Sequence, residues 1–563
     1  MIERDANANR FCSSIDNRPC DVVSQAARQR QTLVVCEKPA EVSLPAQRNL
    51  DAIGKGSGAS AGGSTPQAYK VLRSDQVGRY MVASRELQAG EEIVTEMPFI
   101  VGPKACTYPL CLSCYSPWPP SPNNKRLCSR CGWPVCGEEC EDALQHKDYE
   151  CRVFAQASEK FNVDAALEGN NENGVPQLEC IMPLRLLLES EKNVERWDKE
   201  VKDMEAHNKI RSQKTQWKSD HVNIVEYLRK RLKLDRFSEE RIQTICGILE
   251  INTFEVRTAK GFGARGLYPT VAMMNHSCVS NTSHSISPID YKMRLRTTLK
   301  IPAGGELHAS YTHSLLPTML RREHLLEGKH FACACPRCSD PTELNTHMSS
   351  LKCNKCDNGI VLPLDSLDSE STWKCTHCEF STNGRAVQKI LRIIQVDVDA
   401  AEAISGAEGA DAIFERENVV KKYQSVLHPR HAFLTMLRHS LTQMYGRVDE
   451  YLLNDLPDVV LEHKVDMCRL LLQVLDVVEP GYSRIRGMTL YELHAPLLFL
   501  AKGQWNAGVI DEAGLKSKMT EVANILKEAT TILTMEPADT AEGQIGLVAK
   551  ESLAQLEQSV NDL

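Results

Sequence analysis

The 563-residue chain has no apolar run approaching the roughly 18–20 residues that a bilayer-spanning helix needs, so membrane insertion is not expected. No apolar segment follows Met1-Ile2-Glu3-Arg4-Asp5, and a secretory signal is therefore not expected either. Excess positive charge is also missing. With a formal net charge of −8, strong direct nucleic-acid binding is not expected, since proteins with that role are usually basic. What the chain has instead is cysteine, 22 residues of it. Disulfide frameworks belong to small exported domains, and this chain is long and shows no export signal. The cysteines therefore point to zinc in a reducing compartment, the cytoplasm and nucleus. There the sequons Asn275-His276-Ser277 and Asn281-Thr282-Ser283 carry no meaning.

A chain this long exceeds one core, and about three or four domains are expected. Residues 1–66 read as an unstructured tail, because the Gly/Ser/Ala stretch from Gly54 to Pro66 cannot bury a core. Cys12, Cys20 and Cys36 in this tail lack metal spacing and read as free thiols. From Tyr69 to Pro103 alternating apolar residues predict short strands, with a turn at Ala89-Gly90 and core positions at Ile93, Val94, Phe99 and Ile100. A helical stretch is predicted from about Cys180 to Leu249, with Pro183 in a first turn and Cys246 as a buried apolar residue. Strand character returns where Met293, Leu295, Thr297 and Leu299 alternate with basic residues, ending at Pro302-Ala303-Gly304-Gly305. Gly261-x-Gly263-x-x-Gly266 matches a dinucleotide fingerprint by letter, but no βαβ unit surrounds it, so it reads as a flexible loop. Beyond about residue 385 the pattern is helical. Phe433, Leu437, Leu441 and Met444 form one stripe, and Leu461, Val465, Cys468 and Leu472 form another, stopped by Pro480-Gly481. Such antiparallel pairs resemble tetratricopeptide units, although no strict consensus of about 34 residues is present.

Fifteen of the 22 cysteines, with His146, make sixteen candidate zinc ligands in spaced groups. Thiolates two to four residues apart can reach one tetrahedral ion about 2.3 Å away, and closed four-ligand sets are structural. The first group supplies two zincs in an interleaved assignment: Cys111, Cys114, Cys136 and Cys140 for one, Cys128, Cys131, His146 and Cys151 for the other. Cys333-x-Cys335-x2-Cys338 is one thiolate short, and Cys278 is the candidate for its fourth. Cys353, Cys356, Cys375 and Cys378 read as an independent ribbon.

Asn275-His276-Ser277-Cys278, preceded by Gly266-Leu267-Tyr268-Pro269, resembles the core motif of SET-domain lysine methyltransferases. Gly305-Glu306-Leu307-His308-Ala309-Ser310-Tyr311 resembles the second core segment, which threads beside the first in a knot-like crossing. Gly78-Arg79 resembles the family's N-terminal cofactor turn, and the Cys333 to Cys338 group its post-SET cysteines. The first zinc group looks like a MYND finger, a protein-interaction module. Together these resemble the SMYD family, and the run from Cys338 to Leu344 followed by the extra ribbon looks most like its arthropod SmydA branch. The resemblance implies an α+β architecture: a split, β-rich SET domain over 67–340 with its post-SET segment at 331–340. A MYND finger is inserted at 111–151, a zinc ribbon follows at 353–378, and an all-α, TPR-like domain covers 385–563.

The implied activity is methyl transfer from S-adenosylmethionine to a protein lysine, with about four zincs per chain. By resemblance, Asn275, His276 and Arg79 hold the cofactor, and His221 and Asn252 are further candidates for the same pocket. Tyr311 would turn its hydroxyl toward the transfer centre, and Phe331 would form part of the channel wall. The MYND finger implies proline-rich or repressor partners, including histone deacetylase complexes. Two positions depart from the family pattern. Val77 replaces a common basic residue, and Lys329 replaces the aromatic that closes the lysine channel. A cation at 329 would repel an incoming ammonium or sulfonium unless it turned outward to solvent. The second reading is accordingly a weakly active or inactive scaffold that recruits repressors.

Overall fold

The computed structural model describes residues 67–121, 124–168, 174–404 and 409–563. The predicted tail and its three thiols lie outside them. The first strands form where the alternation predicted them: β1 (Tyr69–Ser74), β2 (Gly78–Ala83), β3 (Glu92–Glu96) and β4 (Ile100–Gly102). β1 and β2 are an antiparallel hairpin, and β3 pairs with β9 (Met293–Thr297), which in turn pairs with β8 (Thr282–Ile286). In β9, Met293, Leu295 and Thr297 are buried while Arg294 and Arg296 face the other way, the period-two pattern of a sheet with one covered face. The strand ends at Thr297, and Leu299 beyond it is exposed.

β4 pairs with β6 (Gly263–Leu267), which pairs with β5 (Thr253–Arg257). The glycine-rich run predicted as a loop is therefore largely strand. Its only turn portion is the hairpin bend at Gly261, where φ is +84°. The core under these sheets gathers Met81, Leu87, Ile93, Val94, Tyr268, Met293, Leu295 and Leu307.

The helical stretch from Cys180 to Leu249 is several helices, the longest being α1 (Ile181–Lys192) and α2 (Glu239–Asn252). Ser238 caps α2 by accepting from the Arg241 N–H. Ile242, Ile245 and Leu249 bury its apolar stripe, with Cys246 among them. The same core extends beneath the first zinc group through Leu112, Trp133 and Phe154. After α3 (Thr318–Lys329), strands β11–β14 form a four-stranded antiparallel sheet between residues 351 and 382. Among the described residues seven helices follow, α4 (Gly384–Ala403), α5 (Ala410–Tyr423), α6 (Ala432–Met444), α7 (Asp458–Val478), α8 (Arg484–Asn506), α9 (Glu512–Leu533) and α10 (Ala541–Asp562). The predicted stripe on α6 is buried, and on α7 Leu461, Val465 and Cys468 are buried with Leu472 half-buried.

Candidate active site and zinc centres

The four ligand groups assemble with the expected membership, each with its ligand atoms within 4.8 Å of one another. Bonds of about 2.3 Å at tetrahedral angles put neighbouring sulfurs about 3.8 Å apart. Cys114–Cys136 and Cys128–Cys151 measure 3.6 and 3.7 Å, and Cys353–Cys378 and Cys356–Cys375 both measure 3.7 Å. Cys278 lies 3.5 Å from Cys338 and 4.0 Å from Cys333, completing the three-thiolate group. A disulfide would need about 2.05 Å, so the donor sets fit zinc.

Supporting side chains orient two of these sites, and sequence reasoning missed them. His146 turns Nε2 toward Cys131, while Nδ1 lies 2.9 Å from Glu150, both side chains being fully buried. Glu150 also forms a two-pronged pair with Arg185, at 2.8 and 2.6 Å. Burial alone would raise the Glu150 pKa, but Arg185 and then His146 outweigh it and hold the carboxyl below its ordinary range. At the other site Arg321 donates from Nε to Cys278 at 3.3 Å and from Nη2 to Cys338 at 3.5 Å, offsetting part of the charge of four thiolates. Arg321 and Arg337 share the buried Glu343 at 2.8 and 2.9 Å. Arg185 and Arg321 are marked by nothing local, because Glu150 and Cys278 lie 35 and 43 positions away, whereas Glu150 stands four residues after His146, the spacing that places two side chains on one helix face.

Two short parallel strands, β7 (Asn275–His276) and β10 (His308–Ala309), bring the core segments together, pairing Asn275 with His308 and His276 with Ala309. Asn281 clamps the crossing by donating to the Glu306 carbonyl and accepting the His308 N–H, both at 2.8 Å. Asn275 donates to the Glu306 carboxylate at 2.9 Å. His276 Nδ1 accepts the Tyr311 N–H at 3.0 Å. The other ring nitrogen must then carry the proton of the neutral imidazole, and it faces Cys278 at 3.2 Å. Burial pushes the His276 pKa down to about 4, which keeps this neutral form.

Tyr311, His276 and Phe331 form a ring trio with centroids 5.3 to 6.5 Å apart. Tyr311 stands in a cleft crowded enough to push its pKa up to about 12, yet it remains 38% open to solvent. Its hydroxyl donates to the Met274 carbonyl.

Arg79 and Asn252 converge on one neighbouring segment. Arg79 donates to the Asp203 carbonyl at 3.2 Å and Asn252 to the Glu205 carbonyl at 3.0 Å. Two residues on, His207 meets His330 edge-on, which leads to Phe331 and the ring trio. His221 faces Glu226, at 3.8 Å on the same helix. Of the two orientations open to Lys329, the structure shows the inward one. Its ammonium donates to the Ile251 carbonyl at 2.5 Å and lies 5.6 Å from the centre of the Tyr311 ring.

A β-rich domain with crossed core segments, set among four four-ligand zinc groups, defines a zinc-bearing SET-domain protein. The SET domain family matches residues 78–312. The chain is 31% identical over 319 residues to SET domain-containing protein SmydA-8, isoform A, of Drosophila melanogaster, covering 55% of this chain and 65% of that one. To isoform B it is 31% identical over 325 residues, covering 55% and 67%. To histone-lysine N-methyltransferase ASHR1 of Arabidopsis thaliana it is 23% identical over 484 residues, covering 82% and 91%. The match thus spans just under two thirds of the first of these relatives. The chain belongs to the SMYD family of SET-domain proteins, on its SmydA-like branch.

Proposed function

We propose that this protein transfers a methyl group from S-adenosylmethionine to a lysine ε-amine of a protein, histone or non-histone. The observation that carries the reading is the β7–β10 pairing, which puts Asn275, His276 and Tyr311 in one cleft with Phe331. The residue types suit the donor: a guanidinium at Arg79 for a carboxylate, an amide at Asn275, and aromatic faces for a nucleoside and a cation. When bound, S-adenosylmethionine supplies an electrophilic methyl on a sulfonium. The chain's contribution is position and dryness. Asn275 is fixed by Glu306, and His276 is fixed by the Tyr311 N–H and by Cys278. Holding reactants in line removes much of the entropic barrier. A lysine amine, with an ordinary pKa of about 10.4, must enter dehydrated to be neutral, and the ring trio offers such a wall.

The first zinc group supports the further reading of a MYND finger that takes proline-rich or repressor segments, deacetylase complexes among them, in the cytoplasm and nucleus. Calorimetry with S-adenosylmethionine tests the donor site, with Asn275→Ala expected to lose at least tenfold in affinity. A methyl-transfer screen on histones and a protein array follows, with Tyr311→Phe expected to cut transfer about 100-fold, on the scale of one positioned catalytic group. A wild type that binds no donor overturns the reading. The inward Lys329 favours the second reading, a weakly active scaffold, in which donor binding persists without transfer to any substrate on the array.

A further inference from the structure

Lys329 is the last residue of α3, and His330 after it takes the left-handed conformation, φ +63°. That reversal sends Phe331 to the ring trio and folds the Lys329 stem into the cleft. The acceptor of its ammonium, the Ile251 carbonyl, belongs to the last turn of α2, where carbonyls lack helical partners and the helix dipole favours a cation. The Tyr311 face is within the distance at which an ammonium is attracted by an aromatic ring. A carbonyl end and an aromatic face are together the recognition set for an alkylammonium, and the chain's own lysine already fills it.

We propose that Lys329 is a built-in occupant of the acceptor-amine position, and that an incoming lysine enters the cleft by displacing it. The inference rests on the methyl-transfer reading of this cleft. Displacement is possible because burial makes the occupant's ammonium costly to hold, although the carbonyl and ring around it are suited to an alkylammonium. Burial pushes the Lys329 amine down to about 8, with Glu250 only partly opposing the shift. Swinging out returns the amine to water, where it regains hydration and its full proton affinity. Its hydrogen bond at Ile251 then passes to the substrate amine, as does the Tyr311 face. The stem is long and flexible, so the exchange needs rotation of one side chain and no rearrangement of α3.

The test uses the full-length, zinc-loaded protein without methyl donor, and Nα-acetyl-lysine amide as probe, with the norleucine analogue as neutral control. Lys329→Met should bind the probe at least tenfold more tightly than wild type. In wild type, acylation of Lys329 by a water-soluble amine reagent, mapped by mass spectrometry, should accelerate several-fold at saturating probe as the side chain is driven out. Equal probe affinity in the two proteins, or Lys329 acylation indifferent to the probe, overturns the inference. The wild-type labelling decides the matter even if Lys329→Met folds poorly. Failure of the methyl-transfer reading shows separately, as absence of S-adenosylmethionine binding in calorimetry.

Discussion

His276 Nδ1 accepts the Tyr311 N–H at 3.0 Å while its Nε2 lies 3.2 Å from the Cys278 sulfur, so one imidazole joins a zinc ligand to the cleft tyrosine. The zinc of Cys278, Cys333, Cys335 and Cys338 is structural in its ligand set, but the ring beside it is part of the proposed donor site. Cys335→Ser should therefore remove one zinc and weaken S-adenosylmethionine binding at least tenfold. Cys353→Ser, in the separate ribbon, should also remove one zinc but leave that binding unchanged. Metal analysis with calorimetry on both variants checks this, and equal effects would disprove the coupling.

Glu150 stands between a zinc-ligating histidine and a buried arginine, at 2.9 Å from His146 and 2.6 Å from Arg185. Glu150→Ala should lower zinc affinity at that site by about 10–100-fold, the usual cost of losing the carboxylate that orients a metal-bound histidine. It also strands a buried guanidinium, at a cost of about 3–5 kcal/mol. Chelator competition and chemical denaturation measure the two effects. Arg185→Met should recover part of the stability of Glu150→Ala but none of the zinc affinity.

The Lys329 amine has its pKa lowered from 10.5 to about 8, first by burial, so carbon-13 NMR at its Cε should show a midpoint near 8 while exposed lysines titrate above 10. Between those two values the unfolded chain binds more protons at this site than the folded one. Stability contributed by Lys329 therefore rises with pH through that window and is lost as pH falls through about 8. Lys329→Met should flatten that part of the stability profile, as urea denaturation at several pH values would show.

Gly481, in the turn before α8, has φ +74°, and a Cβ there would meet the backbone oxygen of Thr298 at 2.1 Å. Tyr482 donates to the same oxygen at 2.9 Å, tying the helical region to the end of β9. Gly481→Ala should destabilise the protein by roughly 1–3 kcal/mol through backbone strain and clash. Faster proteolysis at the 480–482 turn, seen in a time course, is the expected companion effect.

Much of this was legible beforehand, for reasons of range. Zinc ligands come in pairs a few residues apart, so most of the ligand groups followed from spacing, while the borrowing of Cys278, 55 residues before Cys333, followed only from the resemblance of its surroundings to the SET core motif. Strands at 92–96 and 293–297 announced themselves by alternation, and α6 and α7 by their stripes. The glycine-rich run at 261–266 misled because its letters suit a loop, while pairing with β4 and β5 makes most of it strand. Arg185 and Arg321 gave no signal, since they act through Glu150 and Cys278, 35 and 43 positions away, whereas Glu150, four residues after His146, carried a local signal that went unread.

The sequence by itself determined most of the metal chemistry and the local elements, because these depend on residue type and short spacing, while the pairing of the two core segments was legible only through their resemblance to a known family. Only the tertiary structure decided where Lys329 points. A lysine at the end of a helix can face water or a cleft at similar local energy. The choice was made by the left-handed turn at His330, by the open carbonyl of Ile251 and by the face of Tyr311, three features that meet only in the folded chain.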